Sequence, residues 1–213
     1  MKLKRNENAD VRRHTGLLCQ RYPKLQEQSG NILKAYEALA ASYEQGGKLL
    51  ICGNGGSAAD ADHITGELMK GFYLKRPLGQ EEKVKFGILA DKLQGALPAI
   101  ALTQHAALGT AFSNDVDPLM VFAQQVYGYG RNGDCLLAIS TSGNAENVCA
   151  AARVAKGAGL TVLALTGASG GKLKEYADIS ICVPETVTAF VQELHLPIYH
   201  TLCAMLEETF FDQ

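Results

Sequence analysis

The most informative side chains in this sequence are a histidine and a glutamate four positions apart. His63 and Glu67 lie in a stretch with a helical pattern, so their spacing places both side chains on one helix face, one turn apart. Such a pair can bind a divalent metal or act together as acid and base. More often, however, a histidine and a glutamate at this spacing only form a hydrogen bond with each other and have no catalytic or metal-binding role.

A glycine-rich loop precedes that pair. Cys52-Gly53-Asn54-Gly55-Gly56-Ser57 follows an apolar run and opens the predicted helix that carries His63. Its glycines let backbone amides approach an anion, and a helix N-terminus favours negative charge. The loop is neither GxGxxG nor a Walker sequence, which disfavours dinucleotides and ATP. A tight turn capped by Ser57 is the alternative interpretation.

A second loop carries three consecutive hydroxyl groups. Ile139-Ser140-Thr141-Ser142-Gly143-Asn144 follows another apolar run and offers donors suited to a phosphate monoester. One such loop could be an ordinary Ser/Thr turn. Two of them on strands of one sheet are harder to dismiss, because ligands of open α/β sheets bind at the carboxyl ends of strands. Without a charged clamp, they suit a small sugar phosphate better than a nucleotide.

A third group lies near the C-terminus. Gln192 and His195 share a helix face, and His200 is two turns beyond Gln192. Pro197 removes a helix hydrogen bond between them and predicts a kink. Since a lone helical histidine is usually structural, this group says little by itself.

The elements that must position these residues follow an alternating pattern. Five short, nearly continuous apolar runs predict strands covered on both faces, at about 48–52, 99–102, 135–139, 161–165 and 179–183. Helical patterns predict helices at about 10–27, 31–45, 58–72, 118–129, 145–157, 173–176 and 188–211, the first two split by Ser29-Gly30. The sequence therefore predicts an α/β fold with a doubly wound, five-stranded parallel sheet and two N-terminal helices.

Composition excludes several functional classes. The formal net charge of −2 argues against a general nucleic-acid or membrane-surface binder. The N-terminus is charged, and no stretch approaches the ~20 apolar residues of a membrane helix, so we expect a cytoplasmic protein. The six cysteines are widely spaced and several lie in apolar runs, which predicts reduced core residues.

Together these residues resemble the phosphoheptose isomerases, a branch of the sugar isomerase (SIS) family. The resemblance runs from about residue 47 to residue 210, and the two loops, the His63 and Glu67 pair, and Gln192 with His200 are its most specific parts. It implies a single flavodoxin-like SIS domain over 1–213, with an N-terminal helical arm at 1–46 and an insertion at 78–97.

The resemblance also implies roles for individual residues. The implied substrate-binding residues are Asn54, Gly55, Gly56, Ser57, His63, Glu67, Asn114, Asp115, Ser140, Thr141, Ser142 and Gln192. The implied zinc ligands are His63, Glu67, Gln192 and His200, with Glu67 and His200 as the proton-transfer pair. The implied reaction interconverts sedoheptulose 7-phosphate and D-glycero-D-manno-heptose 7-phosphate, an aldose–ketose isomerisation for heptose precursor synthesis.

Two departures from the family pattern are visible. Ala145 stands where the family commonly has a serine, which puts one phosphate contact in doubt. The stretch between Pro77 and Pro98 is much longer than the family's spacing, and a long polar loop of this kind is often a lid that could cover the site.

The closest alternative function is a non-catalytic SIS-type regulator that binds sugar phosphate, similar to a regulator of the bacterial replication initiator. Such regulators lack the carboxylate and the late histidine, whereas this chain keeps Glu67 and His200. A metal-free isomerase is a further alternative. The resemblance also implies a homotetramer with active sites at subunit interfaces. We expect apolar residues of the terminal helices to supply the surface: Leu17, Leu18, Leu202, Met205 and Leu206.

Overall fold

A five-stranded, all-parallel sheet forms the centre of the computed structural model, which describes residues 3–6 and 9–211. The strand order is β2-β1-β3-β4-β5, the flavodoxin-like arrangement. Every predicted strand is confirmed to within one residue at either end. The strands are β1 (Leu49–Cys52), β2 (Ala99–Ala101), β3 (Cys135–Ser140), β4 (Thr161–Thr166) and β5 (Ile179–Cys182).

Helices cover both faces of this sheet. In the described residues they are α1 (Arg12–Arg21), α2 (Ser29–Glu44), α3 (Gly56–Met69), α4 (Gln80–Phe86), α5 (Ala106–Asp115), α6 (Val121–Tyr129), α7 (Glu146–Gly157) and α8 (Thr188–Phe211). Alternate strand residues point to opposite sides, so Leu49 and Ile51 pack with α1, α2, α3 and α8, while Leu50 and Cys52 pack with α6 and α7. The doubly wound fold is therefore confirmed.

The first predicted helix, 10–27, is wrong in its extent. Helix α1 ends at Arg21, and a 3₁₀ turn (Pro23–Gln28) leads into α2. Pro23 has no N–H and disfavours helical angles at Tyr22, which has φ −129° and ψ 74°. The break therefore comes at Tyr22-Pro23, and Ser29-Gly30 lie inside the first turn of α2.

Other helices differ from the sequence prediction in smaller ways. The short helix expected at 173–176 is a 3₁₀ turn (Lys172–Glu175), and the one expected at 118–129 begins as a 3₁₀ turn (Pro118–Met120) before α6. Helix α5 was not predicted. None of its residues is buried, so it lacks the apolar stripe that would have indicated a helix.

The stretch at 78–97 is an ordered excursion. It contains α4 and a 3₁₀ turn (Gly87–Lys92), and its ends meet where Pro77 pairs with Gln94 in an antiparallel bridge. The chain then joins the amino end of β2, where the Leu97 amide donates to the Leu68 carbonyl at 3.0 Å. The excursion is therefore anchored beside the last turn of α3, and its expected role as a cover for the site stays a prediction.

The apolar residues assigned to a subunit surface are mostly core residues, so that expectation is wrong for four of the five. Leu18, Leu202, Met205 and Leu206 are buried, because α1 packs directly against α8. Only Leu17 is exposed, at 54%.

The cysteines behave as the sequence predicts. All six are free thiols and five are buried. Burial raises the pKa of the Cys52 thiol to about 12, which keeps it protonated and unreactive. Within the described ranges, no helix has both the length and the apolar character that a membrane span requires.

Candidate active site

The two loops meet at the switch point of the sheet. Strands β1 and β3 are hydrogen-bonded neighbours, and the chain leaves them in opposite directions, toward β2 and toward β4. The glycine-rich loop joins β1 to α3, and Gly55 has φ +56°, a backbone angle that favours glycine. The serine-rich loop joins β3 to α7. The crevice outside such a switch point is the expected ligand site of an open α/β sheet.

A reciprocal amide pair ties the two loops together. Asn54 Nδ2 donates to Asn147 Oδ1, and Asn147 Nδ2 donates to Asn54 Oδ1, both at 2.9 Å. Asn54 was predicted as a site residue, whereas Asn147 was not. No spacing rule indicates such a pair, because its partners are 93 positions apart.

The serine-rich loop is held rigidly. Ser140 is buried at the end of β3, and Ser142 Oγ accepts a hydrogen bond from the Asn144 amide at 3.1 Å. Gly143 has φ +67°, and a Cβ there would collide with the Gly170 carbonyl. Ala145 precedes α7 and supplies no side-chain cap. A phosphate at this loop would therefore meet preorganised donors but lack the family's usual serine.

Three predicted binding residues border an open cleft of about 730 Å³. Asn54, Gly55 and Asn114 line it. Asn114 lies at the end of α5 and donates to Asp115 Oδ1 at 2.8 Å, and Asp115 itself does not line the cleft. His105 also lines this cleft, and its buried Nδ1 has no hydrogen-bond partner among the described residues.

Helices α3 and α8 bring three predicted proton-transfer and metal residues together. His63 Nε2 lies 3.2 Å from Glu67 Oε1, and the rings of His63 and His200 meet edge to face with centroids 5.0 Å apart. Gln192 lies nearer the start of α3, where a Cβ on Gly56 would collide with its amide. Helix α8 runs unbroken through Pro197.

Two atoms of this cluster are buried without a hydrogen bond in the described part of the chain, His200 Nε2 and Glu67 Oε2. The nearest cation to the latter is Lys70 Nζ, at 3.9 Å. Burial lowers the pKa of His200, the nearby His63 lowers it further, and Glu67 opposes both. His200 is therefore neutral at neutral pH, and both atoms are available to a ligand.

Most of the side chains expected to bind zinc are of types that zinc accepts. The two imidazoles and the carboxylate are groups that zinc accepts, whereas the Gln192 amide lies nearer the start of α3. Over residues 3–6 and 9–211, no three His, Cys, Asp or Glu side chains are already arranged as a metal site. The two atoms without partners, His200 Nε2 and Glu67 Oε2, nevertheless fit a cation bound between α3 and α8.

Comparison with known proteins decides the family. The SIS domain matches residues 19–86 and 80–167. A phosphoheptose isomerase of Roseiflexus sp. (strain RS-1) is 39% identical over 204 residues, 96% of this chain and 90% of that protein. One from Rhodospirillum rubrum is 41% identical over 177 residues, 83% of this chain and 85% of that protein. The chain belongs to the phosphoheptose isomerases of the SIS-domain family.

Solved structures agree with this assignment. A phosphoheptose isomerase from Neisseria gonorrhoeae superposes with a TM-score of 0.73 at 34% identity, covering 91% of this chain and 93% of that one. A phosphoheptose isomerase from Francisella tularensis gives 0.72 at 37% identity, covering 84% and 86%. The SIS fold predicted from the sequence is thereby confirmed.

In this phosphoheptose isomerase family member, sequence reasoning missed a buried tyrosine and an aspartate beside the cluster. Tyr199 OH donates to Asp60 Oδ1 at 3.2 Å and lies 3.0 Å from His63 Nδ1. Burial raises the pKa of Asp60, and the hydrogen bond from Tyr199 opposes that shift. Asp60 precedes His63 by three positions, a helical spacing that could have indicated it.

A buried ion pair at the far end of α3 was also missed. Arg76 and Glu207 are both about 1% exposed, and Arg76 Nε donates to Glu207 Oε1 at 2.8 Å. Arg76 also donates to the Leu68 carbonyl at 2.7 Å and the Glu67 carbonyl at 3.1 Å. Three backbone amides, those of Phe72, Tyr73 and Leu74, donate to the Glu207 carboxylate. This network ties the end of α3 to α8.

His195 serves the core instead of the site. It is fully buried beside β4, and burial lowers its pKa to about 4, a shift that the nearby Thr166 backbone opposes. A neutral, buried imidazole of this kind matches the structural role that a lone helical histidine usually has.

Proposed function

We propose that the chain is an aldose–ketose isomerase that interconverts sedoheptulose 7-phosphate and D-glycero-D-manno-heptose 7-phosphate. One observation carries the proposal. Glu67 and His200, from helices far apart in sequence, flank His63 on the helix that starts at the glycine-rich loop, and each keeps a buried atom without a hydrogen-bond partner in the described residues. Membership of the phosphoheptose isomerase family supports the same substrate and disfavours a non-catalytic regulator.

In the proposed reaction Glu67 acts as the carbon base. Its carboxylate takes a proton from C1 of the ketose, and the C–H electrons form the C1=C2 double bond of an enediol. His200, neutral before the reaction, moves a proton between the two oxygens. Glu67 then returns its proton to C2, which gives the aldose and restores the carboxylate. The side chain of Glu67 is only 13% exposed, so the base is shielded from water.

We also propose zinc as a cofactor, held by His63, Glu67, Gln192 and His200. The donor types and the unpartnered nitrogen and oxygen atoms support this assignment. Bound there, a zinc ion would polarise the substrate carbonyl. A carboxylate that binds a metal is a weaker base, so Glu67 would either alternate between roles or leave the metal chiefly structural.

The substrate phosphate is proposed to lie between Ser57 and the loop at 140–142. Both segments border the switch point, and α3 and α7 begin beside them with positive dipole ends. Along α3, six residues at about 1.5 Å each separate Ser57 from His63, roughly 9 Å. An extended sugar phosphate can therefore reach from these loops to His63, and Glu67 lies one turn further along α3, in contact with it.

Replacing Ser142 with alanine tests that placement. We expect a rise in KM of about 10- to 150-fold, because a hydrogen bond to a charged group is worth roughly 1.5–3 kcal/mol. Ser140→Ala should behave similarly, and Ser29→Ala, a serine at the start of α2, serves as the control. Unchanged Michaelis constants in both loop variants would place the phosphate elsewhere.

The proposed assembly is a homotetramer with active sites at subunit interfaces. In support, the exposed apolar side chains of Leu17, Tyr73 and Leu196 line a groove of about 340 Å³ that also contains His200. Burying this groove would shield the proton-transfer cluster. The absence of nucleic-acid partners and a cytoplasmic location stay predictions from the sequence.

Light scattering should give a mass four times the 22.8 kDa of the chain. We expect this mass at micromolar concentration, because a site that is completed by neighbouring subunits requires a stable assembly. A monomeric mass under those conditions would contradict the proposal.

Turnover is the direct test of the proposed function. Purified protein mixed with sedoheptulose 7-phosphate should produce the aldose 7-phosphate until equilibrium is reached. NMR of the sugar monitors the conversion. A regulator would bind the ketose and leave it unchanged. Binding without any aldose, with and without added zinc, would overturn the isomerase assignment.

A further inference from the structure

A chain of close polar contacts runs through the cluster. Asp60 Oδ1 lies 3.2 Å from Tyr199 OH, Tyr199 OH lies 3.0 Å from His63 Nδ1, and His63 Nε2 lies 3.2 Å from Glu67 Oε1. Tyr199 is 2% exposed and cannot exchange its partners for water. The Nδ1 side of the His63 ring is therefore in contact with the buried hydroxyl group of Tyr199.

The direction of these bonds follows from the chemistry of each group. Asp60 Oδ1 accepts from Tyr199 OH at 3.2 Å, and a carboxylate oxygen has no proton to donate in return. The single hydroxyl proton of Tyr199 therefore goes to Asp60. Its oxygen is left as an acceptor, and His63 Nδ1 must carry the proton that it accepts.

Nε2, the other ring nitrogen of His63, is then the one that can contact a substrate or a metal ion. In the tautomer with its proton on Nδ1, His63 presents a lone pair on Nε2, opposite a Glu67 carboxylate that is also an acceptor. Two acceptors at this distance repel unless a proton or cation lies near both. In this tautomer Nε2 can accept a hydrogen bond from a substrate hydroxyl or bind a metal ion. It carries no proton that it could donate to Glu67.

We propose that Asp60 and Tyr199 are positioning residues that hold His63 in its Nδ1–H tautomer, with the Nε2 lone pair directed at the reaction centre. Their effect on catalysis rests on the isomerase function proposed above, whereas the tautomer itself does not. Outer partners that orient a functional histidine typically change metal affinity or activity by about 10- to 100-fold when removed.

The tautomer can be measured directly. Protein labelled with ¹⁵N histidine is studied by solid-state NMR at neutral pH without added metal, and His63→Gln identifies the His63 signals. We expect a protonated Nδ1 and an unprotonated Nε2 in the wild type. Tyr199→Phe removes only the hydroxyl oxygen and should shift His63 toward the Nε2–H form, which can donate to Glu67.

A matched control separates this effect from a general loss of a buried hydroxyl. Tyr36 OH makes a buried hydrogen bond of 2.8 Å to Thr209 Oγ1, away from the cluster. Tyr36→Phe should leave the His63 signals and turnover unchanged. Tyr199→Phe should lower kcat and zinc affinity by about 10- to 100-fold while KM changes little, because the phosphate loops are untouched.

Two results would overturn the proposal: a wild-type His63 protonated on Nε2, or a Tyr199→Phe variant whose His63 tautomer is the same as in the wild type. Neither depends on turnover. If the protein fails to isomerise sugar phosphate, the tautomer measurement still decides the roles of Asp60 and Tyr199. If the tautomer is wrong, wild-type turnover still decides the function.

Discussion

Replacing Glu67 with glutamine is expected to lower turnover at least ~10²-fold, the usual scale of a general base. Glutamine keeps the size of the side chain and its ability to hydrogen-bond, but it cannot accept the carbon-bound proton. Sugar-phosphate binding should change little, since the two loops lie at the other end of α3. The measurement is steady-state kinetics by an assay for the aldose product.

The competing explanation is that Glu67 only binds zinc. Metal content and activity should therefore be measured on the same Glu67→Gln sample, with and without excess zinc. Activity restored by zinc alone would remove Glu67 from the base role and leave His200 as the candidate. Glu37→Gln is the control. Glu37, on α2, is an exposed partner of Arg5 and takes no part in the cluster, so this variant should keep full activity.

The largest effect on stability is expected at the buried ion pair. Glu207→Gln keeps the shape of the side chain but leaves the Arg76 guanidinium, which is fully buried, without a counter-charge. Breaking a buried pair in this way costs about 3–5 kcal/mol of the free energy of unfolding. Urea denaturation followed by circular dichroism, at equal protein concentrations, measures the change.

The same Glu37→Gln variant supplies the comparison. Its ion pair with Arg5 has a distance of 2.7 Å, but the Glu37 side chain is 59% exposed, so the loss should be below about 1 kcal/mol. Equal stabilities of the two variants would show that the Arg76–Glu207 pair does not anchor the end of α3.

The parts of the fold that the sequence predicts well are those with a local signal. Strands such as Cys135–Ser140 are continuous apolar runs, and a sheet of parallel strands brings the loops after β1 and β3 to one edge. The i, i+4 spacing of His63 and Glu67 likewise placed both on one face of α3. Their proximity to His200 was implied only by family resemblance, since no local pattern relates α3 to α8.

The missed residues share one property, which is that their partners are distant in sequence. Arg76 and Glu207 are 131 positions apart, and Asp60 and Tyr199 are 139 apart. From sequence alone, an arginine or glutamate without a known partner is predicted to lie at the surface. The same limit explains why the predicted subunit surface was wrong. An apolar stripe on α1 does not show whether α1 packs against α8 of its own chain or of another chain.

The most direct test of the central claim is hydrogen exchange during the isomerisation itself. The protein is incubated with sedoheptulose 7-phosphate in D₂O until the ketose and aldose have interconverted many times, and the C1 and C2 positions are then read by NMR. Proton transfer through Glu67 predicts that deuterium enters both positions, and that Glu67→Gln introduces none above the uncatalysed rate. Because the Glu67 side chain keeps 13% of its surface exposed, its proton should exchange with D₂O in a fraction of the turnovers. Full interconversion with every carbon-bound hydrogen retained would therefore contradict the account.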